Sequence, residues 1–323
     1  MRERVEAVGI GEAMALLDPV TDGPLEESDT LALRTAGAEA NALIGLARLG
    51  HRTAFVSAVG DDPFGKLILR TLRAENIDVT GVEVNPKAPT GVFFKERLGD
   101  HRRRVYYYRT GSAASRLGPA AADTVEGFRP RVLLVSGLSL GLGGSDGLAG
   151  AVAKSIRRSH AAGVAVVFDA NLRPGIWDGP TAVDDFAAVR PFIDYLLAGR
   201  DELTVLVPVR DEASIASECC AEGMSAVVVK DEAKGATLFE GREAVLIPAV
   251  PAADVVDTVG AGDAFAAGFI SGILRGWPLP HCARLGAALG SAVVGHTGDW
   301  ENLPRGAEAR RIVASLEPAA RSD

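Results

Sequence analysis

The stretch from Asp257 to Phe265 combines residue types that could carry out phosphoryl transfer. Gly260, Ala261 and Gly262 are small enough for a tight turn with exposed backbone N–H groups, and the apolar run that follows predicts a helix. Unpaired N–H groups at a helix N-terminus attract an anion such as a phosphate. Asp263 follows at the head of the helix, where a carboxylate could take the proton of an attacking hydroxyl group.

The same residues have a simpler interpretation, because a glycine-rich loop often precedes a helix that an aspartate caps. The longer sequence context favours the interpretation in which these residues carry out phosphoryl transfer. Residues 257–269, DTVGAGDAFAAGF, closely resemble the signature D-T-x-G-A-G-D-x-F of the ribokinase-like (PfkB) sugar kinases. This resemblance implies that Asp263 is the catalytic base and that Gly260, Ala261 and Gly262 form the anion hole for a γ-phosphoryl group.

A second polar group follows the strand that we predict at 164–169. Asn171 and Arg173 lie just beyond its end, and ligands of open α/β sheets bind beyond the carboxyl ends of the strands. By itself the segment could be a polar turn before Pro174 and Gly175. It is similar to the D-x-N-x-R pattern of sugar-acid kinases of the same family, which implies that Asn171 and Arg173 lie near the nucleotide phosphates and the substrate.

Residues 90–109 predict a β-hairpin that interrupts an otherwise regular alternation of strands and helices. Strand alternation places Tyr107 and Arg109 on one face. They could belong to an ordinary amphipathic strand, or they could close over a substrate with Arg109 taking a carboxylate. A basic run at the turn, His101–Arg104, favours a solvated loop, with contact to an anionic substrate as the weaker alternative.

The hairpin looks like the lid of 2-keto-3-deoxygluconate kinases, and so do residues 37–41, 59–65 and 298–300, so the resemblance extends from about residue 5 to about 304. It implies that Gly37 and Asn41 contact a sugar and that Asp299 reaches one of its hydroxyl groups. The sugar acid would be held by Tyr107, Arg109 and Arg173, and the nucleotide would be bordered by the segment from Lys230 to Gly235.

The resemblance further implies ATP and Mg²⁺, with the metal bridging phosphates mostly through water. We expect no direct protein ligand for the metal, although Glu202 could act through a water, and a monovalent cation is left open. The chain departs from the family pattern at six positions, which bear on nucleotide affinity and sugar choice: Ala36, Phe93, Gly199, Asp231, Glu232 and Ala287.

Strand–helix alternation over most of the length predicts a three-layer α/β/α ribokinase-like fold with a mainly parallel sheet and a small β lid. We expect one domain over residues 1–323, with lid elements inserted at approximately 13–35 and 89–111. The predicted strands are 5–10, 53–59, 132–136, 164–169, 195–198, 226–230 and the hairpin 236–247. The predicted helices are 37–49, 63–75, 145–162, 181–190, 262–275, 279–294 and 307–316, with a further helical stretch between the strands 195–198 and 226–230.

Composition limits the classes of partner. A net charge of -8 argues against non-specific binding of nucleic acid. Three cysteines, two of them adjacent, cannot form a disulfide framework and indicate a reducing compartment. We find no secretory signal and no apolar run long enough to cross a bilayer, so we expect a cytoplasmic protein without a membrane partner. The resemblance implies a homodimer or higher homo-oligomer through the lid, and the apolar area of the hairpin must pack either on the chain's own core or on a partner.

Three hypotheses remain open from the sequence. The first is an ATP-dependent kinase of 2-keto-3-deoxygluconate or a similar sugar acid, with a neutral-sugar kinase of the fructokinase or ribokinase type as its nearest rival. The second, a dinucleotide-dependent oxidoreductase, lacks the required G-x-G-x-x-G after the first strand, because Gly9 and Gly11 are followed by Glu-Ala-Met. The third is a non-catalytic sugar-sensing relative, against which the intact residues 260–263 argue.

Overall fold

The computed structural model describes residues 4–98, 103–207, 211–252, 255–295 and 297–319. The strands among these residues are β1 (Ala7–Ile10), β2 (Met14–Pro19), β3 (Leu31–Ala36), β4 (Thr53–Gly60), β5 (Asp78–Asn85), β6 (Val92–Arg97), β7 (Arg103–Tyr108), β8 (Val132–Ser136), β9 (Ala165–Asp169), β10 (Tyr195–Gly199), β11 (Ala226–Lys230), β12 (Ala236–Glu240) and β13 (Glu243–Ile247). The helices are α1 (Ala38–Arg48), α2 (Pro63–Ala74), α3 (Ala121–Phe128), α4 (Gly137–Leu140), α5 (Leu148–Ala161), α6 (Gly179–Val189), α7 (Arg200–Leu206), α8 (Glu212–Ala221), α9 (Ala261–Leu274), α10 (Leu279–Val293) and α11 (Gly306–Leu316).

The large sheet has the strand order β13-β12-β11-β10-β9-β8-β1-β4-β5. From β11 to β5 every neighbouring pair is parallel, and β12 and β13 add an antiparallel edge. The chain runs from β1 outward to β4 and β5, and later returns to place β8 on the other side of β1. Such a reversal opens a crevice beyond the carboxyl ends of the strands, where ligands of open α/β sheets bind.

Helices cover both faces of this sheet, as the sequence predicts. One buried cluster joins α1, α2, α9 and α10 to one face, and a second joins α3, α5, α6, α7 and α8 to the other. The central strands are apolar on both sides because both faces are buried. Helix α9 is apolar around most of its circumference and packs against α1 and α10, which gives the residues at its N-terminus a rigid support.

A separate four-stranded sheet, which we call the lid sheet, has the order β3-β2-β6-β7. Its inner face carries a small apolar cluster of Met14, Leu16, Ala36 and Phe93. In the parallel β2–β6 pair Leu16 aligns with Phe93, and in the antiparallel hairpin Phe93 faces Tyr107. The tip of this hairpin, residues 99–102, lies outside the described residues together with most of the predicted basic run.

Most predicted elements are present within one or two residues of their expected bounds. The prediction omitted α3, α4 and β5, and it placed a lid element at 13–35 without identifying the strands β2 and β3 that this segment contains. In the part of the chain that the structure describes, no helix has the length and apolarity needed to span a bilayer.

Candidate active site

A cavity of about 710 Å³ lies between the lid sheet and the carboxyl ends of the parallel strands. Residues just beyond five strands line it from below: Glu12 after β1, Ser139 after β8, Asn171 after β9, Glu202 after β10 and Lys230 at the end of β11. The lid sheet closes it from above with Met14, Ala36, Phe93, Lys95, Arg104, Val105 and Tyr107. The N-terminal ends of α1 and α9 complete the walls.

Asp263 lies in the first turn of α9 and is only partly exposed, toward this cavity. Its Oδ2 accepts a hydrogen bond of 2.8 Å from the side-chain amide of Asn41 on α1. Burial raises the pKa of Asp263 to about 7, the hydrogen bond from Asn41 opposes the rise, and the carboxylates of Asp169 and Asp299 add to it. A carboxylate with this pKa can accept a proton near neutral pH.

The turn before α9, Gly260–Gly262, requires glycine at its first position. Gly260 has φ of 83°, and a Cβ there would lie 1.9 Å from the carbonyl oxygen of Asp299. Among the described residues, the N–H groups of Gly260 and Gly262 have no hydrogen-bond acceptor, whereas that of Ala261 donates to the carbonyl oxygen of Thr258 at 3.3 Å. The turn therefore presents two free donors at the positive end of the α9 dipole.

Asp169, Lys230, Asn171 and Arg173 form a charged edge next to this turn. Lys230 Nζ donates to Asp169 Oδ1 at 2.8 Å. Burial alone would lower the pKa of Lys230, but the nearby carboxylates of Asp169 and Glu202 raise it, so the ammonium stays charged. Asn171 has φ of 42°, and its buried Oδ1 lacks a hydrogen-bond partner among the described residues. A strained residue with a free polar atom at a cavity wall fits a ligand-binding role.

Arg109 follows strand β7 at the base of the lid sheet and is held by the buried carboxylate of Glu12. The Arg109 Nη2 lies 2.5 Å from Glu12 Oε2, and Ser112 Oγ donates to Glu12 Oε1 at 2.5 Å. The guanidinium group lies 5.5 Å from the ring centroid of Tyr107. Its Nη1 is buried and has no partner among the described residues. One donor of Arg109 therefore remains for a ligand, although most of its charge is already balanced.

Lys95 on β6 forms a buried ion pair with Asp299 across the roof of the cavity. Arg104 pairs with Glu96 at 3.4 Å on the same lid sheet. Arg173 differs from the other cavity-lining cations, because no described carboxylate lies within 4.0 Å of it. Arg173 is also exposed, so its charge is open to an anionic ligand as well as to water.

The structure brings most of the predicted site residues to this one cavity. Those that line it are Gly37, Asn41, Tyr107, Arg109, Asn171, Arg173, Glu202, Lys230, Gly260, Gly262, Asp263 and Asp299. Ala261 and Gly235 are not among its lining residues. Gly235 has φ of 99° in the turn between β11 and β12, where its carbonyl oxygen accepts from the N–H of Asp231 at 2.8 Å. The roles of these residues stay predictions.

The six departures from the family pattern fall in two groups. Ala36 and Phe93 line the cavity, where Phe93 packs 5.7 Å from the ring of Tyr107. The remaining positions are absent from the cavity lining: Gly199, Asp231, Glu232 and Ala287. Asp231 pairs instead with Arg200 at 3.0 Å, so its carboxylate is turned to a neighbouring helix.

Sequence reasoning did not identify Glu12, Lys95 and Glu39 as site residues, although all three line the cavity. Arg104, for which substrate contact was only the weaker alternative, lines it as well. Glu39 is buried and accepts from the backbone N–H of Ser136 at 3.0 Å, and burial raises the pKa of its carboxyl. Lys95 was identifiable in principle, because alternation on β6 places it on the same face as Phe93. Glu12 lies two residues beyond the first predicted strand, and ligands of open α/β sheets bind beyond the carboxyl ends of the strands.

Comparison with known proteins places this geometry in one family. The sequence pattern described as pfkB family carbohydrate kinase matches residues 5–305. The chain belongs to this family. It is therefore a carbohydrate kinase, and the fold is ribokinase-like.

The chain aligns with the relatives described here over nearly its full length and theirs. A 2-dehydro-3-deoxygluconokinase of Thermoproteus tenax is 34% identical over 322 residues, which cover 97% of this chain and 95% of that protein. The crystal structure of a PfkB protein from Polaromonas sp. JS666 is 33% identical with a TM-score of 0.84, covering 96% of this chain and 99% of that one. A Pyrococcus horikoshii sugar kinase, solved in complex with ATP, is 25% identical with a TM-score of 0.79, covering 95% and 99%.

The pKa of Asp263 predicts how activity depends on pH. A base must be ionised, so we expect kcat/KM to fall as the pH drops through about 7. Replacing Asn41 by alanine removes the hydrogen bond that favours the ionised form, and this acidic limb should move to higher pH. The wild-type protein and Asn41→Ala are measured with the same substrates, so the ionisation of the substrates affects both pH profiles equally. Identical midpoints in the two proteins would contradict the assignment.

The Gly260 turn predicts a strong substitution effect. Gly260→Ala places a Cβ against the Asp299 carbonyl oxygen, so the turn and its free N–H groups must move. We expect kcat to fall by about a hundredfold or more, the typical loss when an oxyanion-stabilising donor is removed. Gly276→Ala is the matched control, because Gly276 also has a positive φ, 73°, but no atom within 4 Å of the added Cβ. It should reduce the unfolding midpoint slightly and leave kcat unchanged.

Proposed function

We propose that this carbohydrate kinase transfers the γ-phosphoryl group of ATP to a hydroxyl group of 2-keto-3-deoxygluconate or a similar sugar acid. The observation that carries the proposal is Asp263, a carboxylate with a raised pKa at the head of α9, beside two free backbone donors. The naming of the Thermoproteus tenax relative, 2-dehydro-3-deoxygluconokinase, supports this class of substrate.

The residues divide the reaction into a proton transfer and a phosphoryl transfer. Asp263 takes the hydroxyl proton as the sugar oxygen forms its bond to the γ-phosphorus. The bond from that phosphorus to the β–γ bridging oxygen breaks, and ADP leaves with the bonding electrons. The free N–H groups of Gly260 and Gly262 stabilise the charge on the transferred group.

The charged edge of the cavity fits the polyphosphate of ATP. Lys230 and Arg173 supply positive charge, and Asn171 lines the same edge of the cavity. The ATP complex of the Pyrococcus horikoshii sugar kinase supports this nucleotide. Magnesium, when bound, would neutralise the phosphates, and Glu202 could hold one of its waters.

The described residues offer no ready cage of protein ligands for the metal. Glu202 already accepts from the N–H groups of Gly199 at 2.6 Å and Leu172 at 2.9 Å. Among the described residues, no group of three or more His, Cys, Asp or Glu is arranged to hold a metal ion. A magnesium ion held through water and phosphate oxygens is consistent with both observations. The monovalent cation stays a prediction.

The cations of the cavity support an acidic substrate. Arg109 has one buried donor, Nη1, that lacks a partner among the described residues, and it lies beside Tyr107. A carboxylate that accepted this donor would satisfy a group that is costly to leave unpaired. Arg173 could reach either the acid or the phosphates, since its charge has no ion-pair partner in the described part of the chain.

Two further properties complete the proposal. The proposal includes a homodimer or higher homo-oligomer through the lid, because Leu33 and Tyr108 of the lid sheet are 49% and 68% exposed. The cytoplasmic location also stays a prediction. It is consistent with the free thiols of Cys219 and Cys282, whose pKa burial raises to about 12, so that little reactive thiolate forms.

The direct test is ADP release from ATP and magnesium with a panel of acceptors. The panel holds 2-keto-3-deoxygluconate, 2-keto-3-deoxygalactonate, gluconate, fructose and ribose. We expect turnover on a keto-deoxy acid and a loss of about 10²-fold or more in Asp263→Asn, because the base is removed. Turnover on neutral sugars alone would overturn the acidic substrate, and equal rates in Asp263→Asn would overturn the base.

The lid dimer predicts that charge on the exposed face of the lid sheet dissociates it. The double variant Leu33→Lys/Tyr108→Lys should convert a dimer to a monomer, measured as molar mass by light scattering. Val84→Lys is the matched control, because Val84 is 51% exposed but lies on β5 of the large sheet. A monomeric wild-type protein, or a double variant that remains dimeric, would contradict this interface.

A further inference from the structure

Lys95 is a buried cation to which neither the sequence motifs nor the proposed mechanism assigns a role. It lies on strand β6 of the lid sheet, its side chain is 2% exposed, and it lines the cavity. Removing an ammonium group from water is costly unless a charged partner compensates. Among the described residues, its hydrogen-bond partner is the carboxylate of Asp299.

Asp299 connects this lid residue to the catalytic turn. Its Oδ1 accepts from Lys95, and within the described chain no donor reaches its Oδ2. Its backbone carbonyl oxygen lies against Gly260, so closely that a Cβ on Gly260 would be 1.9 Å away. One residue therefore binds the lid with its side chain and supports the anion-binding turn with its backbone.

The two residues after Asp299 strengthen the same connection. Trp300 Nε1 donates to the carbonyl oxygen of Thr35 on β3 at 2.7 Å, and Glu301 accepts from Arg34 on β3 at 3.0 Å. Segment 299–301 is thus joined to two lid strands, β3 and β6. Trp300 and Glu301 do not line the cavity, whereas Lys95 and Asp299 both do.

We infer that Lys95 is a positioning residue that makes the lid part of the sugar site. It holds one oxygen of Asp299, so that the other oxygen faces the cavity as the acceptor for a substrate hydroxyl group. The acceptor is correctly placed only while β6 covers the cavity, which couples sugar recognition to lid closure. The inference rests on the proposed function, since it assigns Asp299 to the sugar.

A purely structural role for Lys95 would have different consequences. If the ammonium group only balanced a buried charge, its removal would lower stability without selectively weakening sugar binding. If it positions Asp299, removal should raise the KM for the sugar and leave the KM for ATP nearly unchanged. The two substrates therefore separate the two roles.

The experiment compares Lys95→Met, which keeps the length of the side chain without its charge, with Lys95→Arg, which keeps the charge. Lys95→Met should raise the KM for the sugar acid by about thirtyfold or more, which corresponds to the lower end of the cost of breaking a buried charge pair. Lys95→Arg should recover part of this loss. Lys66→Met is the matched control, because Lys66 has a side chain that is 74% exposed and should leave both KM values unchanged.

A double-mutant cycle tests whether Lys95 acts through Asp299. Lys95→Met/Asp299→Asn should have the same sugar KM as Asp299→Asn alone, because the lysine has no carboxylate left to position. Additive effects would overturn the inference. Removing both charges together also avoids a buried unpaired carboxylate, so this variant stays informative if Lys95→Met unfolds.

The pH dependence adds a signature that a structural role would not show. Among the described residues, the charged groups that act on Asp299 are Lys95, Asp257, Asp263 and Glu301, of which Lys95 is the cation. In Lys95→Met the carboxyl group of Asp299 should ionise only at higher pH, so the sugar KM should improve as the pH rises. The same pH dependence in wild-type protein and Lys95→Met would contradict the positioning role.

The outcome is distinguishable from a failure of the proposed function. Wild-type turnover on the acceptor panel identifies the substrate, and the Lys95 variants are then compared on whichever acceptor is used. If the acceptor is a neutral sugar, the proposed substrate is wrong, but the effect of Lys95→Met on the KM for that sugar can still be measured. An unchanged acceptor KM in a folded Lys95→Met protein would overturn the inference on Lys95 alone.

Discussion

A mostly buried carboxylate that must stay basic is the constraint on which the rest of this structure depends. Asp263 reaches a pKa of about 7 because burial and the carboxylates of Asp169 and Asp299 favour its neutral form. Asn41 limits the rise with one hydrogen bond. The group is therefore ionised for a large part of the time at neutral pH, and it retains the basicity that a hydroxyl proton requires.

That constraint explains why so many charges around the cavity are paired. Burying isolated charges is costly, so Lys95 is matched by Asp299, Arg109 by Glu12 and Lys230 by Asp169. Pairing also limits the net field at Asp263, because each added cation is accompanied by an anion. Arg173 has no such partner in the described chain, and it lowers the pKa of Asp263. The cavity thus has one charge free to meet an anionic ligand.

The sequence predicted the parts of the fold that have strong local signals. Buried parallel strands such as β8 and β11 are short β-branched runs, and their bounds were predicted correctly. Strand β3, LALRTA, consists mostly of good helix formers and becomes a strand only through pairing with β2. Strand β5 lies at a sheet edge and is interrupted by Gly81, so its pattern is weak.

The site divides in a similar way. The turn at 260–263 and the polar residues after β9 have recognisable spacing, so their convergence at one cavity could be predicted. Strand position alone could place Glu12 and Lys95 near the site, but their ion pairs could not be predicted, because each is a single charged residue whose partner is distant in the sequence. Lys95 and Asp299 are 204 positions apart, and only the closure of the lid sheet over the large sheet brings them together. Ion pairs of this kind belong to the packing of two sheets rather than to any local pattern, and they tie the recognition of a ligand to the arrangement of the whole chain.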